Sequence, residues 1–269
     1  MKIGIAGAAG RMGKMLIAEV WRHNGCTLSG ASVTENDPMC GRDAGEIAGI
    51  GRIGVSLQRN AVGLFESSDV VIDFTTPAAS LEHCMLANRY KRALVIGTTG
   101  FNPAQTEMLK HHGRTIPIVG SPNMSLGVNI LISLTEQLAH LLDDEYDIEV
   151  FEMHHRHKID APSGTALALG QAAARGRKVD LDAVEDRARD GQVGARRGGH
   201  IGFSVARGGD VIGDHTVYFA AEGERIELTH RASNRNIYAR GAVHAALWLA
   251  DKPAGLYTMR DVVQAPGKI

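Results

Sequence analysis

Lys2-Ile3-Gly4-Ile5-Ala6-Gly7-Ala8-Ala9-Gly10-Arg11-Met12-Gly13 stands at the head of the chain. Lys2–Ala6 is short, largely apolar and followed at once by glycine, which reads as a buried strand. Met15, Leu16, Ala18, Val20 and Trp21 then recur with helical spacing. Strand, glycine turn and helix in immediate succession are the context in which a dinucleotide is bound. In that reading Gly7 allows the tight turn, Gly10 lets the backbone approach a pyrophosphate, and Gly13 lets the helix pack closely on the strand. The spacing is GxxGxxG rather than the usual GxGxxG, so the pattern alone also fits an ordinary strand-to-helix turn.

Outward from this turn the same alternation continues. Thr27–Val33 reads as a second strand, Asp69–Phe74 as a strand buried on both faces, and Ala93–Ile96 and Ile116–Gly120 as two more. Gly41–Gly54 is a glycine-rich connector. Thr76-Pro77 opens a helix to about Asn88, and a further helix spans about Pro103–His112. Five short strands alternating with helices predict a Rossmann-like doubly wound parallel sheet. Glu35, just past the second strand, is the candidate for a ribose 2′-OH, whereas Arg11 in the glycine turn could face a 2′-phosphate. Both NAD and NADP stay open.

The pattern changes near Ser125. Leu126–Leu142 reads as a long apolar helix, and it leads into Glu152-Met153-His154-His155-Arg156-His157-Lys158-Ile159-Asp160-Ala161-Pro162-Ser163. On a strand running through His155, period two places Val150, Glu152 and His154 on one face and Phe151, Met153 and His155 on the other. Pro162 and Ser163 are helix-starting residues, with Ala166, Leu167, Leu169 and Ala173 as the apolar stripe behind them. Such a helix aims the N–H groups of Gly164 and Thr165, and its dipole, at whatever the strand-end cations face. The cluster reads either as an anion site or as a solvated basic turn.

Farther on, Asp180–His200 is rich in Gly, Arg and Asp and reads as a mobile loop. Ile201–Arg207, Val211–Phe219 and Arg225–His230 lack intervening helices and predict an antiparallel sheet. Ala239–Leu249 is helical, and Gly255–Val263 is expected to pack back on the first domain. The division expected is residues 1–125, completed by 236–269, for the dinucleotide, and 126–235 for substrate and oligomerisation. The second part is α+β with a mixed or antiparallel sheet. Two domains with one crevice between them, hinged near Ser125 and Asn236, is the picture.

Composition narrows the partners. With 29 basic and 30 acidic residues the net charge is −1, which gives no bulk field for nucleic acid or an anionic membrane. The local basic cluster therefore serves a small molecule. Cys26, Cys40 and Cys84 are scattered without a CxxC pair, which argues against a disulfide framework or a structural zinc and fits a reducing cytoplasm. No apolar run approaches the ~20 residues of a membrane span.

Four stretches together carry a resemblance. They are Gly7–Gly13, then Gly97-Thr98-Thr99-Gly100-Phe101, then His154–Lys158 continuing into Asp160-Ala161-Pro162-Ser163-Gly164-Thr165-Ala166-Leu167, and finally Gly241-Ala242-Val243 with Ala246-Leu247-Trp248-Leu249. In this order, over nearly the whole chain, the sequence resembles the 4-hydroxy-tetrahydrodipicolinate (dihydrodipicolinate) reductase family. The resemblance implies reduction of a cyclic dicarboxylate on the diaminopimelate and lysine route with NADH or NADPH, by a homotetramer assembled through the second domain. It implies His154 as acid catalyst and Lys158 as second proton donor. His155, Gly164 and Thr165 are implied to hold the substrate. Gly7, Ala8, Ala9, Gly10, Arg11 and Met12, with Gly97, Thr98 and Thr99 and with Ser121, Pro122, Asn123 and Met124, are implied to contact the dinucleotide. Val33-Thr34-Glu35 departs from the family's acidic residue followed by arginine, so cofactor preference is not carried over, and Arg156 and His157 receive no role.

Rival readings lack a residue each. A metal site built on His154, His155 and His157 has His154 on the opposite strand face and no cysteine or HExxH partner. A short-chain reductase needs a lysine four residues after a tyrosine, but Tyr90, Tyr146, Tyr218, Tyr238 and Tyr257 precede Leu94, Val150, Glu222, Ala242 and Asp261. A cysteine-acylating dehydrogenase needs a reactive thiol, whereas Cys84 falls mid-helix. A nucleotide-sensing module leaves the His154 cluster unexplained.

Overall fold

Strands covered by helices on both faces are near-continuously apolar, and Val70–Asp73, with Asp73 as its polar end, and Ala93–Ile96 are buried at every residue. The computed structural model describes residues 1–264 of the chain. It separates into two compact units, one formed by Met1–Leu126 and the chain from Asn236 onward, the other by Gly127–Arg235. Residues 265–269, the end of the segment expected to complete the first domain, lie outside the described residues.

In the first unit β1 (Lys2–Ala6) runs into α1 (Arg11–Arg22), then β2 (Thr27–Ser32), α2 (Ala44–Ala48), β3 (Leu57–Gln58), α3 (Val62–Ser67), β4 (Val70–Asp73), α4 (Pro77–Tyr90), β5 (Ala93–Ile96), α5 (Pro103–Gly113) and β6 (Pro117–Gly120). The glycine-rich connector thus holds a helical turn. Asp43 caps it, accepting the N–H groups of Gly45 at 2.8 Å and Glu46 at 3.3 Å, and it also ties down Ile53 at 3.1 Å and Gly54 at 2.7 Å. α5 starts on the reciprocal capping box of Asn102 and Gln105.

The second unit contains α6 (Leu126–Leu141), β7 (Asp147–His154), α7 (Gly164–Arg177), α8 (Leu181–Val184), β8 (Glu185–Asp186), β9 (Ile201–Arg207), β10 (Asp214–Ala221) and β11 (Glu224–Arg231). The chain then returns with α9 (Asn236–Leu249), β12 (Gly255–Tyr257) and α10 (Met259–Gln264) to the first unit.

The first sheet has the order β12-β6-β5-β4-β1-β2-β3, all pairs parallel. It is the doubly wound, Rossmann-like architecture expected, with seven strands where five were counted. β3 and β12 are only two and three residues long and owe their extended form to pairing with β2 and β6. One face is covered by α1, α2, α9 and α10, the other by α3, α4 and α5. Strand order reverses between β1 and β4, and the carboxyl ends of these strands are where open sheets bind ligands.

The second sheet, β11-β10-β7-β9-β8, is the mixed one of the two forms expected, and it corrects only the antiparallel reading of Ile201–Arg207. β9 pairs with β7 in parallel and only β10 with β7 and β11 is antiparallel, so the sheet is mixed. α7 supplies the crossover that a parallel pair requires. Close packing of α7 is built from glycine: a Cβ on Gly170 would run into the Phe203 ring and one on Gly176 into the Glu136 carbonyl of α6. Asp180–His200 is a second correction. It carries α8 and β8, and its arginines are anchored, Arg189 on Glu149 at 2.7 Å and Arg196 on Asp147 at 2.6 Å and Glu149 at 2.9 Å. Glycine and charge suggested mobility, but partners far off in the sequence hold the segment. No helix among the described residues is long and apolar enough to cross a membrane.

Candidate active site

At the carboxyl edge of the first sheet, Gly7 turns the chain with φ +73°, and a Cβ there would lie 2.8 Å from Thr75 Cγ2. Gly10 N–H donates to the Gly7 carbonyl at 3.0 Å, and Gly10 is the residue from which α1 departs. A Cβ on Gly13 would collide with the carbonyls of Gly7 and Ala8, so the helix lies directly on the turn. Ala8 N–H donates to the Ser32 carbonyl at 2.9 Å, while Arg11 is exposed on the first turn of α1 and Met12 follows it, half-buried. The result is a helix N-terminus over a backbone cradle, a shape that accepts a pyrophosphate.

Beside the cradle lies a cavity of about 440 Å³ lined by Gly7, Val33, Glu35, Arg59, Thr76 and His83 among others. It brings Glu35 to the same space as the glycine turn. Arg59, in the loop after β3, was missed in the sequence because the strand leading to it is too short to show a period. Beneath the cavity a buried polar network ties the neighbouring loops. Asp73, fully buried, pairs with His83 at 2.9 Å and accepts from Thr75 Oγ1 at 2.6 Å. Thr98 Oγ1 accepts from Thr75 N–H at 2.9 Å and lies 3.0 Å from Ser80 Oγ. The Thr98 side chain therefore holds the two loops together from inside, while the neighbouring Thr99 is exposed. Gly97 is fixed by packing, since a Cβ there would enter the Phe74 ring.

Ser121 Oγ donates to the Asn123 carbonyl at 3.0 Å and the Asn123 side chain accepts from Ser125 N–H at 2.9 Å, which shapes the turn after β6 around Pro122. The Met124 side chain is in the core, and its carbonyl is covered by α9 at Gly241.

In the second unit β7 buries Ile148, Val150, Glu152 and His154 on one face, the alternation that period two predicts, and it ends at His154. Glu152 is 0% exposed and His154 8% exposed. Nδ1 of His154 is hydrogen-bonded to Glu152 Oε2. Arg207 at the end of β9 grips both oxygens of Glu152, Nη1 on Oε2 and Nη2 on Oε1, each at 3.0 Å, and Ser163 N–H donates to Oε1 at 3.0 Å. Burial alone would push the Glu152 carboxyl up. The hydrogen bonds from His154, Arg207 and Ser163 outweigh it and hold the group at about 2.

His215 of β10 stands edge-on to His154, with ring centroids 5.1 Å apart, and its Nε2 lies 3.2 Å from Ser163 Oγ. Burial, reinforced by the neighbouring His154, pushes His215 down to about 4. Ser163 is also the N-cap of α7, its Oγ accepting from Ala166 N–H at 3.1 Å. Gly164 and Thr165 thus form the first turn of α7, and the place of a Cβ on Gly164 has nothing within 4 Å.

Lys158 lies in the loop after β7, where its ammonium donates to Asp160 Oδ1 at 2.8 Å and Oδ2 at 3.0 Å, which lowers the Asp160 carboxyl. Nδ1 of His155 is buried without a hydrogen-bond partner among the described residues, and burial together with the charge of Arg235 lowers its proton affinity. Arg156 is tied by its N–H to the Gly209 carbonyl at 3.2 Å, and the His157 ring stands 6.2 Å from that of His155. Glu152, Arg207 and His215 were missed as site residues. Glu152 was visible two residues before His154 on one strand face; Arg207 and His215 left no local signal.

Oxygen and nitrogen atoms of Glu152, His154 and His215 lie within 4.8 Å of one another, close enough to share a cation. A cation there would face the Arg207 guanidinium and compete with it for both Glu152 oxygens.

Comparison with known proteins covers both units. The family model described as dihydrodipicolinate reductase, N-terminus, matches residues 1–124, and that described as dihydrodipicolinate reductase, C-terminus, matches residues 127–263. The 4-hydroxy-tetrahydrodipicolinate reductase of Agrobacterium fabrum is 52% identical over 264 residues, spanning 98% of this chain and 96% of that relative. The protein of the same name from Magnetococcus marinus is 48% identical over 263 residues, spanning 98% of each. Among solved structures, a dipicolinate-bound dihydrodipicolinate reductase from Paenisporosarcina sp. TG-14 shares the fold with a TM-score of 0.75 at 23% identity, over 96% of this chain and 97% of that one. With the glycine cradle inside one matched segment and the Glu152–His154 cluster inside the other, the chain belongs to the dihydrodipicolinate reductase family.

Proposed function

We propose that this chain, an NAD(P)H-dependent 4-hydroxy-tetrahydrodipicolinate reductase of the diaminopimelate and lysine route, performs its proton chemistry at the end of β7 and holds its cofactor at the carboxyl edge of the parallel sheet. The observation that carries this reading is the buried His154, backed by a carboxylate and set beside the first turn of α7. Substrate carboxylate sits on the amides of Gly164 and Thr165, where the helix dipole favours negative charge. His155 helps orient it.

Loss of the 4-hydroxyl group as water leaves a conjugated imine whose C4 accepts a hydride. A bound reduced nicotinamide supplies that hydride. Negative charge then spreads over the conjugated system, and His154 delivers the proton that neutralises it. Lys158 supports proton delivery and departure of the hydroxyl, with Asp160 holding its ammonium in the resting state.

For the cofactor, the cradle Gly7–Met12 takes the pyrophosphate, with Gly97–Thr99 and Ser121–Met124 as the further contacts. Glu35 offers an acceptor for a ribose 2′-OH, and Arg11 and Arg59 offer cations for a 2′-phosphate, so both NADH and NADPH are substrates. The half-buried face of Phe151, Met153 and Tyr218 on the second sheet supports assembly into a homotetramer, to be checked by sedimentation at about four chain masses. The three free thiols fit a reducing cytoplasm.

Steady-state assay with 4-hydroxy-tetrahydrodipicolinate and each nucleotide tests the reading. Oxidation of both NADH and NADPH at 340 nm is expected. No oxidation of either would sink it, and a kcat/KM ratio above ~100 between them would remove the dual-cofactor proposal.

A further inference from the structure

We infer that Nε2 is the atom of His154 that delivers the proton, that Glu152 is the positioning residue that makes it so, and that Gly213 is the clearance in front of it. The inference rests on the reading of His154 as proton donor and adds which of its nitrogens acts and what fixes the choice.

Glu152 accepts from Arg207 Nη1 and Nη2 and from Ser163 N–H, all at 3.0 Å, besides its bond to His154 Nδ1. An ionised carboxylate only accepts, so Nδ1 must be the donor. The neutral imidazole then carries its hydrogen on Nδ1 and a lone pair on Nε2. The imidazolium has one proton it can give away without breaking the Glu152 bond, and that proton is on Nε2. Arg207 cannot swing off, because its Nη1 also donates to the Ala206 carbonyl and its Nη2 to the Asp160 carbonyl, each at 2.7 Å.

Gly213 marks the other side of the ring. A Cβ at this position would lie 2.9 Å from His154 Nε2, 3.3 Å from its Cδ2 and 3.5 Å from His215 Cε1. Gly213 has no left-handed φ that would demand glycine, so what the position lacks is side-chain volume. Its carbonyl accepts from Ala232 N–H at 3.1 Å, which anchors the Gly213 backbone. The His215 ring, edge-on at 5.1 Å, flanks the imidazole as well.

Glu152→Gln inverts the tautomer for a geometric reason. The amide oxygen is best placed where Oε1 now accepts from both Ser163 N–H and Arg207 Nη2. The amide NH₂ then faces Nδ1 and turns it into an acceptor, so the neutral ring carries its hydrogen on Nε2.

The test is ¹⁵N-histidine NMR of the full chain, with the His154 signals assigned by their loss in His154→Gln. At a pH where the imidazole is neutral, the unaltered protein should show His154 as the Nδ1–H tautomer and Glu152→Gln as the Nε2–H tautomer. In parallel kcat should fall roughly 10²-fold in Glu152→Gln, with NADH affinity within about twofold of the parent. Gly213→Ala should lower kcat at least about tenfold with the Nδ1–H tautomer retained. An Nε2–H tautomer in the unaltered protein overturns the inference without any variant having to fold. So does parental turnover in Gly213→Ala. Parental turnover in His154→Gln would instead remove His154 as proton donor while leaving the tautomer assignment standing, so the two failures are distinguishable.

Discussion

The glycine turn of the first unit and the strand end of the second prepare for ligands in opposite ways. Between Gly7 and Gly13 the groups on offer are backbone N–H donors, and the demand on the sequence is for side chains to be missing. At the end of β7 the groups are side chains, and the demand is for charges to be present, buried and paired. Glu152 is fully buried and carries an arginine fork, a histidine and a backbone amide. A cradle of amides recognises an anion by shape and field and has no proton to exchange near neutral pH. The buried cluster can move protons but tolerates no loss of a partner, since an uncompensated buried charge costs about 3–5 kcal/mol. On the proposed function, the same chain separates holding a dinucleotide from handling a proton.

That contrast can be broken at several points. The largest effect is expected at His154, where His154→Gln should cost about 10²–10⁴-fold in kcat through the missing acid. Stopped-flow and steady-state turnover read it, and an unchanged kcat would remove His154 from the mechanism. Lys158→Ala follows, with kcat lowered roughly 10²-fold and NADH affinity little altered. Titration by nucleotide fluorescence checks this, since a large loss of NADH binding would place the lysine with the cofactor.

His215 sharpens the comparison through pH. Its folded value is about 4, below the ordinary 6.5. Between those values the unfolded chain binds the proton and the folded one does not, so stability is complete above about 6.5 and falls as pH drops toward 4. The loss is at most about 3 kcal/mol. Glu152, depressed to about 2 from 4.5, adds a loss of the same sign only in the lower window between those values. Urea melts from pH 7 to pH 4 should show the slope, and His215→Gln should flatten it. An equal slope in both proteins would mean that another group titrates. The smallest effect belongs to the cradle: Gly10→Ala, whose Cβ would sit 3.2 Å from the Gly7 carbonyl, should weaken NADH binding about tenfold, roughly 1.4 kcal/mol.

The same contrast explains what was legible in the sequence. The glycine turn is local: strand, turn and helix are contiguous, and Gly7–Gly13 reveals its geometry without a distant partner. β5 was read with its observed bounds and α5 to within a residue, because the apolar run of one and the start of the other at Pro103 are short-range signals. The alternation of β7 likewise predicted that Glu152 and His154 share a face. What the residue types could not supply was the company these two keep. Arg207 is 55 positions from Glu152, and the pairing of β9 with β7 that brings it there reads locally as one more strand of an antiparallel set. β3 and β12 failed for the same reason, being extended only because β2 and β6 pair with them. In Asp180–His200 the glycine and arginine content outweighed, on paper, the ion pairs that Arg189 and Arg196 make with β7. The individual roles proposed for His154, Lys158, Gly164 and Thr165 came from family resemblance. Spacing alone left a basic turn and an anion site equally open.

The division between holding and proton handling is tested most directly by carrying His154→Gln and Gly10→Ala through the same two assays, NADH binding by fluorescence and kcat at saturating NADH. His154→Gln is expected to lose at least ~10²-fold in kcat with NADH affinity within about twofold of the parent, and Gly10→Ala to lose about tenfold in affinity with kcat preserved. If His154→Gln weakens NADH binding as much as Gly10→Ala does, or Gly10→Ala loses kcat at saturation, the two regions are not separate in function and the account is contradicted.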